Sequence, residues 1–67
     1  MSKHQTVAAM TVNERLAHFG LFGRFDAAVK SRDKTAVVEV LIQLELSRED
    51  AEQIASTVLR TPEKYGY

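Results

Sequence analysis

From residue 11 onward the apolar positions recur mostly at spacings of three and four, the period of an α-helix. Val12, Leu16 and Phe19 form a first stripe. It begins in Thr11-Val12-Asn13-Glu14, which has the form of a capping box: Thr11 accepts from the Glu14 backbone, and Glu14 reaches back to Thr11. After Gly20 the stripe changes phase. Leu21, Phe25, Ala28 and Val29 make a second face, about 140° around an ideal wheel from the first. One straight helix cannot aim both stripes at a single core. Gly20 and Gly23 are poor helix residues and Gly20 suits a C-terminal cap, so the pattern predicts a break or sharp kink near residues 20–22. The alternative is one continuous helix buried on two faces.

Ser31-Arg32-Asp33 reads as a polar turn with Asp33 as the next N-cap. Residues 34–44 carry two patterns. Val38, Val40, Ile42 and Leu44 alternate as in a strand, whereas Ala36, Val37, Val40, Leu41 and Leu44 fit a helix. Nothing else in the chain reads as a strand partner, which favours the helix. Ser47 then caps a further helix, with Asp50 three residues later. Glu49, Asp50 and Glu52 suit its positive end and Arg60 its negative end. Its apolar face is Ala51, Ile54, Ala55, Val58 and Leu59. Thr61-Pro62 stops it, with Pro62 at the first position of a short final turn, and the tyrosines of Tyr65-Gly66-Tyr67 are expected to lie back over the helices. Residues 1–10 show no cap and no period and read as a disordered N-terminal tail. The predicted fold is therefore all-α: one small bundle of three to four helices over residues 11–67. The expected core is Leu16, Phe19, Phe25, Val29, Val37, Val40, Leu41, Leu44, Ile54, Val58 and Leu59.

Size changes this picture. A chain of 67 residues buries only about 60% of the surface its unfolded form exposes, and such domains usually lean on disulfides, a metal or a partner. Cysteine is absent, which removes disulfides and fits a cytoplasmic protein. Nine basic residues balance nine acidic ones, so no overall field draws the chain to nucleic acid or an anionic membrane. The balance is uneven along the chain: residues 1–34 hold six basic against three acidic residues, residues 35–67 three against six. No run approaches the ~18 apolar residues that span a bilayer.

Candidate chemistry is sparse. His4 and His18 have no partners at metal-ligand spacing. Asp26, Asp33, Glu39 and Glu45 are scattered over different elements rather than paired for acid–base work. Gly20-Leu21-Phe22-Gly23 lacks the lysine and the preceding strand of a phosphate loop. No enzyme, cofactor, metal or small-molecule substrate is expected. Arg24, Lys30, Arg32 and Lys34 form the one basic cluster, and a nucleic-acid-associated regulator using residues 24–34 is the alternative function. A helix-turn-helix over residues 34–60 would present acidic side chains at the start of its second helix, against the phosphates. Phe19, Phe22 and Phe25 are spaced by three, and their drift around the helix leaves at least one outside a monomer core.

Asn13-Glu14-Arg15-Leu16, Gly20-Leu21, Phe25-Asp26-Ala27-Ala28-Val29, Arg32-Asp33 and the ending Pro62-Glu63-Lys64-Tyr65-Gly66 resemble a group of short bacterial proteins with no assigned activity. The resemblance spans residues 13–67 and implies a compact helical protein of bacterial origin. The function expected from the residues is a protein–protein interaction module, acting through a partner or as a homodimer. On the 34–44 helix, Val38 and Ile42 extend the apolar arc to roughly 240°, which requires cover on two sides. Val38, Ile42 and Phe22 are the expected contact residues, and the opposite charges of the two halves suit an antiparallel two-fold dimer. The competing expectation is that this helix is simply the central one of the bundle.

Overall fold

A computed structural model describes residues 9–65, with side chains through Lys64. Most of the expected tail (residues 1–8), and the tyrosine side chains expected over the helices, lie outside the described residues. The chain forms α1 (Val12–Phe19), α2 (Phe22–Lys30), α3 (Lys34–Gln43), α4 (Arg48–Arg60) and a final 3-10 turn (Pro62–Tyr65). This is a small all-α bundle. The described residues contain no helix long and apolar enough to cross a membrane.

Local chemistry sets the helix starts. Glu14 N donates to Thr11 Oγ1 at 3.1 Å and Thr11 N donates to Glu14 Oε1 at 2.8 Å, closing the capping box in both directions. Ala36 N donates to Asp33 Oδ1, and Asp50 N to Ser47 Oγ, both at 3.1 Å. The break expected at Gly20 is present. Gly20 is left-handed at φ 67°, its N–H donates to Ala17 O at 3.2 Å, and Leu21 N donates to Leu16 O at 2.9 Å. Those two bonds are the Schellman arrangement, and only a left-handed residue at that position allows them. Two other helices end on left-handed residues that are not glycine, Arg32 (φ 58°) after α2 and Glu45 (φ 68°) after α3.

α3 is the central helix, packed against α2 on one side and α4 on the other. The core is Leu16, Phe25, Ala28, Val29, Val37, Val38, Val40, Leu41, Leu44, Ala51, Ala55 and Val58. Three expected core positions differ. Phe19 is 37% exposed: it is the last residue of a two-turn helix, and its ring meets His18 edge-on at 4.8 Å instead of reaching the core. Ile54 and Leu59 are only half-buried. The contact line of α4 runs through the fully buried Ala51 and Ala55. Small side chains there let α4 approach α3 closely and push the larger residues to the flanks.

Among the described residues one charged side chain is buried. Arg15 is 8% exposed, and its Nη1 donates to Leu44 O at 3.1 Å while Nε donates to Met10 O at 3.3 Å. Leu44 is the residue that ends α3, where carbonyls lack intrahelical partners and a cation is favoured. α3 has no basic residue in its own last turn, so α1 supplies one.

Candidate partner-binding groove

The three expected contact residues do not share a face. Val38 is 6% exposed and belongs to the core, and Ile42 is half-buried and packed against it. This corrects the outward-facing role expected of Val38, whose side of α3 is covered within the chain, while Ile42 keeps part of its surface free. Phe22 is different. It is the first residue of α2, follows the Gly20 turn directly, and leaves 42% of its surface free.

Phe22 lines an open groove of about 880 Å³. The apolar lining is Val12, Phe22, Phe25, Leu46, Ile54 and Val58, and the polar lining is Thr11, Asn13, Asp50, Gln53, Thr57 and Lys64. Each element contributes for a local reason. The Thr11 cap aims the start of α1 at one wall, and the Gly20 turn swings Phe22 and Phe25 to another. On α4, residues 50, 53, 54, 57 and 58 recur at three and four and so fall on one stripe. Lys64 comes from the turn that Pro62 starts.

The groove's electrostatics are simple. Asp50 is its one carboxylate and Lys64 its one amine among the described residues, and both are exposed. Arg48 and Glu52 form an ion pair at 3.6 Å on another side of α4, lining a shallow depression with Val38 and Lys34. Among the described residues no histidine lines the groove, and no cluster of three His, Cys, Asp or Glu is placed to hold a metal. The chemistry on offer is apolar contact ringed by hydroxyls and amides, with one charge of each sign.

The basic cluster is solvent-facing. Arg24, Lys30, Arg32 and Lys34 are all exposed, but Arg32 turns its Nη1 back to Val29 O at 3.1 Å. Arg24 and Lys34 line separate depressions, and Glu39 lines both. Sequence reasoning missed the burial of Arg15 and the shared groove of Asp50 and Lys64. Phe22 was signalled by the three-residue phenylalanine spacing. The chain matches no protein-family model, no curated protein and no solved structure.

Proposed function

We propose that this chain is a protein–protein interaction module that docks its partner in the groove between α1, α2 and α4. The observation that carries this reading is Phe22, 42% exposed on a largely apolar groove of about 880 Å³. An aromatic ring left in water beside other apolar side chains is the usual form of an interface anchor. The polar residues around it match the rim of such an interface, where hydroxyls and amides set orientation.

The test is site-specific photo-crosslinking in the native cell. A benzophenone amino acid replaces Gln53 in the groove or, as control, Glu39 on α3. The expected result is one discrete adduct from position 53, absent from position 39 and lost when Phe22→Asp is added. Identical adducts from both positions, or an adduct indifferent to Phe22→Asp, would overturn the reading.

A further inference from the structure

We infer that the groove's occupant is a second copy of this chain, arranged about a two-fold axis that sets α4 of each copy antiparallel to α4 of the other. The inference rests on the groove being the docking surface and adds who docks there.

The argument is the placement of charge. Asp50 lies in the first turn of α4, and Lys64 lies in the turn just past its end. The two side chains therefore attach towards opposite ends of α4, the acidic one at its start and the basic one beyond its last residue. A two-fold contact must be self-complementary: whatever one copy presents at one end, the other presents at the opposite end. An axis through the middle of the groove, perpendicular to α4, brings Asp50 of each copy to Lys64 of its partner, and does so twice. Neither side chain has an ion-pair partner among the described residues. An unrelated protein would need to carry the matching signs independently, whereas a second copy has them by symmetry.

Shape supports the same arrangement. Two facing grooves leave a void unless side chains project into it. Phe22 is the more exposed of the two large hydrophobic side chains left in water among the described residues, and each copy offers one to the other. Ile54, half-buried on the same lining, gains cover at the same time. A chain of 67 residues without cysteine also gains from association the burial that its own small core lacks.

Sedimentation equilibrium tests this, from low concentration up to about 1 mM, where even a millimolar dimer is substantially formed. The parent is expected to be a dimer that weakens as salt rises. Asp50→Lys and Lys64→Asp should each weaken dimerisation by about tenfold or more, because each turns two attractive pairs repulsive. The combined exchange should restore parental affinity to within a few fold. Circular dichroism confirms that each variant remains helical, and Lys64→Asp, outside α4, answers the question if Asp50→Lys disturbs that helix. A monomer at every concentration would overturn the inference, and is the result expected if residues 1–8 of the same chain or a different protein fill the groove. In that case the groove reading still stands or falls on its crosslinking test. A dimer that ignores both reversals would also overturn the inference, since it would place the contact on another face.

Discussion

At the scale of single residues, the helix ends separate space from backbone conformation. An added Cβ would meet nothing within 4 Å at either Gly20 or Gly23, so neither site is crowded. They differ in φ alone: Gly20 is left-handed and Gly23 is helical. Gly20→Ala should therefore destabilise the fold by about 1 kcal/mol, the cost of a left-handed residue with a Cβ. Gly23→Ala should stabilise it by up to about 1 kcal/mol, since alanine loses less backbone freedom in a helix. Opposite shifts in melting temperature, of about 4–8 °C per kcal/mol at this size, are the check. The same reasoning makes Glu45, left-handed and exposed, a position where glycine fits better than the native residue. Glu45→Gly should raise stability by about 0.5–1 kcal/mol, and a lowered melting point would mean that the glutamate side chain has a structural role of its own.

At the scale of elements, the caps were legible because capping chemistry is local. Thr11 with Glu14, Asp33, Ser47, the Gly20 break and the Pro62 turn all act within a few residues of themselves, and all are present in the fold. The αL ends at Arg32 and Glu45 were not legible, because neither is the residue type that marks such a position. α3 was ambiguous for a physical reason. A helix covered on two sides is apolar nearly all round, and its periodicity fades towards that of a buried strand. The same wide arc made Val38 look free for a partner, although burial against neighbouring helices produces an identical pattern. Leu41, fully buried in the last turn of this helix, tests that role. Leu41→Ala should cost about 2–5 kcal/mol, most of the stability of a domain this small. A denaturation curve that overlays the parent would show that α3 is not the centre of the core.

At the scale of the whole molecule, the groove was beyond sequence reasoning because its lining comes from four separate stretches of chain. Arg15 was hidden for the same reason: its partner Leu44 lies 29 residues away, and nothing near Arg15 in sequence marks it as buried. Its tertiary role is considerable. α1 is two turns long, sends one fully buried side chain, Leu16, into the core, and packs chiefly on α2. The Arg15 guanidinium is the hydrogen-bonded link between α1 and the end of α3, and it also fixes the Met10 carbonyl just before the Thr11 cap. A charge-assisted hydrogen bond contributes about 1.5–3 kcal/mol, so Arg15→Met, which keeps an unbranched apolar stem, should lose about that much. Arg15→Lys should recover only part of the loss, because a point charge cannot hold two carbonyls in the directions of Nε and Nη1. Native-state hydrogen exchange locates the damage. Without the link, α1 should open as a unit while α3 and α4, joined through Ala51, Ala55 and Val58, keep their protection. The groove wall built by Thr11, Val12 and Asn13 opens with it, so Arg15→Met should also weaken whatever the groove holds, although Arg15 does not line it. Uniform loss of protection across all four helices would show instead that the bundle unfolds only as a whole, with Arg15 one contributor among many.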